Sequence, residues 1–268
     1  MITEKAFAKI NLNLKITGVR PDGYHAVDMV MQTVGFHDTL QLGLLAEPRI
    51  ELHSNCPEMD NESNLIWKAA RLLQSRYQVK QGVKITLKKR IFVAAGLAGG
   101  STDGAATLRG CNRLWNLQLS NEELEKLAAE LGSDIPFLIQ GGTVRATGRG
   151  EVLEHYPDEP KKLVVLAKPR DIAISTKWAY QSYDRLPSDL PRDTTENVLE
   201  LVAFPKYPVL AEMKQLAQKA GAQKALMSGS GPTMYALCND VEQVRAVVKV
   251  WQKFNVDICE TEFQERMQ

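Results

Sequence analysis

Residues 83–107 read VKITLKKRIFVAAGLAGGSTDGAAT, and the fold turns on how this stretch is parsed. Val83, Ile85 and Leu87 alternate with Lys84, Thr86 and Lys88, the period of a strand with one buried face. The strand runs into a loop containing Gly96, Gly99 and Gly100, closed by Ser101 and Thr102. From Asp103 the chain can continue as a helix through Trp115, although Gly104 and Gly110 each forgo about 1 kcal/mol relative to alanine in a helix interior. Close packing against neighbours is the expected reason for them. Glycines let a backbone turn tightly and approach a ligand, while the helix that follows offers unpaired N–H groups and a positive dipole end. Ala95 to Thr102 therefore suit a phosphate, and Ser101 or Thr102 could ligate Mg²⁺. The loop is not a Walker loop, because Gly100 stands where the lysine would be. It is not a dinucleotide fingerprint either, since no acidic residue ends a second strand about 20 residues on.

Working outward, the N-terminal segment alternates Ile10, Leu12, Leu14 and Ile16 with Lys9, Asn11, Asn13 and Lys15, which predicts a half-buried strand whose polar face is a solvated edge. Arg20-Pro21-Asp22-Gly23 is tight-turn chemistry and should bring Tyr24 and His25 back beside that strand. Asn64 is placed to cap a helix through Leu65, Ala69, Leu72 and Leu73, a unit that Gly82 closes. Ser120 and Glu123 form a capping box for a helix that stops at Gly132. Asp134, two residues on and just before Pro136, reads by itself as a plain N-cap.

Tyr156 to Lys162, rich in proline and charge, marks a boundary between two lobes, 1–155 and 156–268. Beyond it come a buried strand at Leu163 to Ala167, a helix from Pro208 to a stop at Gly221, and a helix capped by Asn239 with Glu242. Strands at Met234 to Cys238 and Val256 to Cys259 flank the last helix, giving an α/β second lobe. A second glycine loop, Met227 to Thr233, lies there; alone it is equally an αβ connection or a ligand loop.

Composition narrows the partners. With 33 basic and 32 acidic residues the formal charge is +1, without long single-sign blocks, so nucleic acid is not implied. No stretch approaches the roughly 20 apolar residues of a membrane span, and MITEKAFAKIN lacks a signal-peptide core, so a cytoplasmic protein without a membrane partner is expected. Cys56, Cys111, Cys238 and Cys259 have no metal-ligand spacing and read as reduced packing thiols.

Taken together, AKINLNL (8–14), RPDGYH (20–25), AAGLAGGSTDGAAT (94–107), LGSDIPF (131–137), GGTVRATGRGE (141–151), AKP (167–169) with a following ST, and LMSGSGPT (226–233) resemble the motif set of the 4-diphosphocytidyl-2-C-methyl-D-erythritol kinase family, within the GHMP superfamily of galactokinase, homoserine, mevalonate and phosphomevalonate kinases. The glycine loops alone indicate only the superfamily; RPDGYH after AKIN narrows it. The resemblance implies an α+β, two-lobed GHMP kinase fold, with an N-terminal lobe like ribosomal protein S5 domain 2 and a ferredoxin-like C-terminal lobe. It implies ATP with Mg²⁺ as cofactors, a small-molecule acceptor, and a monomer or homodimer. Asp134 matches the family's catalytic base and Lys9 its partner. Ala94, Ala95, Gly96, Leu97, Ala98, Gly99, Gly100, Ser101 and Thr102 match the ATP loop, with Asn64 nearby and Ser101 on the metal. Asn11, Tyr24, His25, Thr176, Tyr180, Ser228 and Gly229 match acceptor positions, Tyr180 as the aromatic that stacks on cytosine. Phe7, Phe92 and Gly104 depart from the usual pattern; none removes a catalytic group, but two rigid prolines are lost at the loop's approaches. Another small-alcohol kinase of the superfamily, or a catalytically silent nucleotide-binding relative, are the competing readings.

Overall fold

The N-terminal alternation extends into β1 (Ile2–Val19), which turns through Arg20–Gly23 into the long β2 (His25–Leu45). Gly23 N–H donates to Arg20 O at 2.9 Å and Gly23 has φ +79°, the turn its Asp-Gly chemistry predicts. The structure, a computed structural model, describes residues 1–158, 160–192 and 194–267. Among these, six strands form one sheet and four another.

β2 is the spine of the first sheet. β1 pairs antiparallel along its length, from Ile2 opposite Leu42 to Val19 opposite His25. On its other edge β5 (Thr143–Gly148) pairs with Val27–Gln32 and β4 (Gly82–Lys88) with Thr39–Leu45. β3 (Ile50–Ser54) runs parallel to β4, and β6 (Val152–His155) antiparallel to β5. The helix α2 (Gly99–Leu114) packs on β1 and β2, and against α1 (Leu65–Arg76) and α4 (Ile135–Gln140). The capping box at Ser120 and Glu123 opens α3 (Asn121–Ala129). Leu42, Leu73, Ile85 and Phe137 in the shared core are almost fully buried, each stabilising by about 1.5–3 kcal/mol relative to exposure. Gly110 lets α2 approach the sheet: a Cβ there would lie 2.9 Å from both Leu42 methyls.

The second sheet holds β7 (Leu163–Pro169), β8 (Lys224–Met227), β9 (Met234–Cys238) and β10 (Val256–Glu262) in the order β10-β7-β9-β8, all antiparallel. α5 (Thr176–Asp184), α6 (Glu200–Lys206) and α7 (Pro208–Lys219) connect β7 to β8, and α8 (Val241–Trp251) connects β9 to β10. In order of appearance the strands lie 4-1-3-2 with crossovers after the first and third, a ferredoxin-like arrangement. Ala8, Ile10, Val34, Phe36 and Leu97 from the first half share one apolar cluster with Val164, Leu166, Leu226 and Tyr235 from the second, which joins the two sheets.

Three local readings need correction. β1 has no solvated polar face in its middle: Ala6 to Asn11 are all buried, because the second half covers the edge that carries Lys9 and Asn11. The cap of α8 is Asp240, whose carboxylate accepts from Gln243 N–H at 2.8 Å; Asn239 instead donates its backbone N–H to the Gln243 side chain. Gly82 opens β4, while α1 ends earlier, at Tyr77. The stretch 156–162 links β6 to β7, with Glu159 outside the described residues.

Candidate active site

The phosphate-loop candidate sits where β4, β1 and the second half meet. Ala94 and Ala98 adopt left-handed backbone (φ +51° and +56°), a conformation that disfavours L side chains by roughly 1–2 kcal/mol. Surrounding contacts hold it: Lys9 N–H donates to Leu97 O at 3.2 Å, Thr233 N–H to Ala95 O at 3.4 Å, and Ser228 Oγ–H to Gly96 O at 3.0 Å. Gly96 has φ +76°, and a Cβ there would lie 2.1 Å from Ser228 O, so only glycine permits the two loops to touch. Ala98 is the N-cap of α2 and supplies no side-chain acceptor. The first N–H groups of this 16-residue helix, at Gly99, Gly100 and Ser101, are left to point at an anion. Thr102 is buried and its N–H bonds Ala98 O at 2.9 Å, whereas Ser101 is partly open.

Asp134 occupies the N-cap position of α4, yet its carboxylate makes no capping hydrogen bond. It lies 3.9 Å from the Lys9 ammonium, with about a third of the Asp134 side chain open and Lys9 almost wholly enclosed. Burial holds the Lys9 ammonium below the usual lysine range, with Asp134's charge pulling the other way. Lys9 Nζ also donates to Asn11 Oδ1 at 2.7 Å, and Asn11 Nδ2 reaches the Met29 sulfur at 3.3 Å. Asn11 is fully buried, so its side chain orients Lys9 from behind. The second glycine loop closes this side: a Cβ on Gly229 would stand 3.1 Å from Asn11 Oδ1 and 3.6 Å from Lys9 Nζ. Lys9, Asp134 and both glycine loops thus form one cluster.

The remaining sequence candidates fall in two groups. His25, at the start of β2, meets α5: its ring and that of Tyr180 are 4.9 Å apart, and at the start of that helix Thr176 Oγ1 meets Ser230 Oγ at 3.1 Å. Burial and then Asp134 push the Tyr180 phenol up to about 12, which keeps it neutral. Tyr24 is exposed, with the Arg149 guanidinium 5.0 Å over its ring. Ser228 is buried and spends its hydroxyl on Gly96. Asn64 caps α1, accepting from Ile66 N–H at 2.9 Å and donating to Met59 O at 2.9 Å, so its side chain acts on the helix rather than reaching out.

Sequence reasoning missed a buried triad beneath the loop. Lys89 Nζ lies 2.6 Å from both Asp38 Oδ2 and Asp103 Oδ2, and 3.1 Å from the Cβ position of Gly99. Burial of Lys89 works against its charge, but the two carboxylates outweigh it and raise its pKa. Burial pushes the Asp103 carboxyl well up, reinforced by Asp38 and opposed by Lys89; Asp103 Oδ1 has no partner. Asn197 was missed as well: its amide donates at 2.8 Å to Met227 O and Gly229 O, bracing the second loop. A buried polar triad has no spacing signature, and Asn197 sits in a segment without periodicity.

An uncapped helix N-terminus behind a glycine loop, facing a carboxylate–lysine pair across two sheets of this topology, defines a GHMP kinase. Residues 64–142 match the GHMP kinases N terminal domain and residues 184–257 the GHMP kinases C terminal domain. Curated proteins named 4-diphosphocytidyl-2-C-methyl-D-erythritol kinase from Bacillus mycoides and Bacillus cytotoxicus are 44% and 43% identical, each alignment covering 98% of this chain and 96% of the relative. A crystal structure of 4-(cytidine 5'-diphospho)-2C-methyl-D-erythritol kinase superposes with TM-score 0.83 at 28% identity, over 98% of this chain and 99% of that one. A mevalonate kinase shares the fold at TM-score 0.76 and 13% identity, over 99% of this chain and 100% of that one. The chain belongs to the 4-diphosphocytidyl-2-C-methyl-D-erythritol kinase family.

Proposed function

We propose that this kinase transfers the γ-phosphoryl group of ATP to the 2-hydroxyl of 4-diphosphocytidyl-2-C-methyl-D-erythritol, a step toward isoprenoid precursors. The reading rests chiefly on one observation: a carboxylate free of any capping duty, Asp134, stands beside a buried ammonium at the mouth of the phosphate loop. In it, residues 1–155 form the lobe that carries loop and base, and residues 156–268 the lobe that closes over the acceptor.

Phosphoryl transfer needs positioning and charge stabilisation more than covalent chemistry. The N–H groups of Gly99, Gly100 and Ser101 would hold phosphate oxygens, since nothing in the chain caps them. The partly open Ser101 hydroxyl is the side chain that would hold Mg²⁺ beside the phosphates of ATP. Among the described residues no cluster of three His, Cys, Asp or Glu side chains offers an all-protein cage. When bound, the ion would neutralise charge on the nucleotide's phosphates. Asp134 takes the proton of the attacking hydroxyl, and the Lys9 ammonium, 3.9 Å away, aims that carboxylate. Tyr180, stacked with His25, offers a neutral apolar face for a pyrimidine.

A coupled assay of ADP release with diphosphocytidyl-methylerythritol, mevalonate and homoserine tests the assignment. Turnover confined to the cytidine substrate is expected; preference for either of the others would overturn it.

A further inference from the structure

At the end of α5 a carboxylate occupies the place where a helix least favours one. Asp184 is the last residue of α5, where unpaired carbonyls make the helix end partially negative. It is half exposed and its Oδ1 lies 2.6 Å from Nε2 of His25, a residue 159 positions away on the other lobe and itself mostly enclosed. One helical turn before Asp184, Tyr180 lies against the same imidazole, its ring centroid 4.9 Å away and its plane tilted by 34°. A carboxylate at a helix C-terminus gains nothing from its own helix, so its reason lies in what it touches.

A carboxylate can only accept. The neutral imidazole of His25 therefore carries its proton on Nε2, facing Asp184, and its Nδ1 bears a lone pair that meets no hydrogen-bond donor among the described residues. We propose that Asp184 is a positioning residue for acceptor recognition: it fixes His25 with the proton on Nε2, so that Nδ1 accepts a hydrogen bond from the exocyclic amino group of a cytosine stacked on Tyr180. This deepens, and rests on, the acceptor reading above. Uracil presents a carbonyl at that place, and two acceptors facing each other disfavour binding, so Asp184 sets base preference without touching the base.

The test compares the full-length chain with Asp184→Ala and Asp184→Asn in steady-state assays with diphosphocytidyl-methylerythritol, its uridine counterpart and ATP. Asp184→Ala should raise KM for the cytidine substrate by about tenfold, the loss of roughly one hydrogen bond, and narrow the cytidine-to-uridine ratio. The KM for ATP should be unchanged, and kcat should change far less than KM. Asp184→Asn, which keeps an accepting oxygen, should fall between. Because the variants remove a charge from an unfavourable helix end, Tm should not fall, and ¹⁵N shifts of His25 should show the Nε2–H form in the wild type, less of it in Asp184→Asn and its loss in Asp184→Ala. Unchanged KM and base preference in an active Asp184→Ala enzyme would overturn this role while leaving the acceptor assignment standing, as would equal losses for ATP and acceptor with a lowered Tm. A wild-type chain inactive on the cytidine substrate would overturn both.

Discussion

Gly96→Ala isolates the contact on which the site's assembly depends. The substitution adds one methyl group at φ +76°, a region that disfavours an L residue by roughly 1–2 kcal/mol. That methyl would lie 2.1 Å from Ser228 O and 3.1 Å from Gly231 N, well inside any real contact distance, and both neighbours are backbone atoms that no rotamer change can move. Overpacking of this kind costs about 1–3 kcal/mol, so the total is about 2–5 kcal/mol. A chain of this size loses about 2–4 °C in Tm per kcal/mol, which places the variant about 4–20 °C below the wild type. The displaced loop also carries the carbonyls that receive Lys9 N–H and the Ser228 hydroxyl, so KM for ATP should rise with the loss of stability. Gly100→Ala is the control for stability: it sits in helical backbone, and its methyl would meet only Leu65 Cδ1 at 3.9 Å. Differential scanning calorimetry on both variants decides the matter. A Gly96→Ala protein that melts within about 2 °C of wild type with unchanged KM for ATP would refute the reasoning.

Asp134→Asn should bind ATP within a few-fold of wild type by calorimetric titration while kcat drops by about 10²–10⁴, the usual contribution of a positioned base; wild-type kcat would remove Asp134 from the chemistry. Burial lowers the Lys9 pKa below its ordinary 10.5, so kcat should decline on the alkaline side with a midpoint below 10.5, and Lys9→Met should lose that limb. Between the lowered folded value and 10.5 the unfolded chain binds more protons, so Lys9 makes unfolding free energy rise with pH in that window, which urea titrations at several pH values can follow. Lys89→Met strands two buried carboxylates and should destabilise by about 3–5 kcal/mol, read from the urea midpoint; a shift under about 1 kcal/mol would mean that the triad is not a structural unit.

What the sequence exposed and what it hid divide along physical lines. The glycine loop was legible as a strand-to-helix turn because Gly96, at φ +76°, answers a local backbone demand, and local demands leave local marks, whereas Gly99 and Gly100 already lie in helical backbone. The capping box at Ser120 and the Asn64 cap were legible for the same reason. β2 was not singled out, although it is the longest strand: its two halves serve different partners, and MVMQTVGF has no clean alternation because Met31 to Val34 are all buried. Lys9 looked like an edge residue since nothing near it in the chain announces that a segment some 220 residues later covers it. Asp134 has the sequence context of a cap, yet in the fold it holds the cap position and leaves the helix N–H groups unserved. The family motifs pointed to it because they carry the memory of a three-dimensional meeting that propensities lack. Asp184, Asn197 and the Lys89 triad belong to neither category, being long-range polar contacts of which only Asp103 falls within a quoted motif.

The bond between the Ser228 hydroxyl and Gly96 spans 132 residues of chain. A ribosome-bound polypeptide that has emerged only through its first sheet would possess the nucleotide loop without the strut that sets its shape. Closing so long an intervening loop is entropically slow, and its reward comes only when both halves are already folded. Catalytic competence is thereby postponed to the last act of maturation, and recovery of turnover after dilution from denaturant should lag behind recovery of helical circular dichroism.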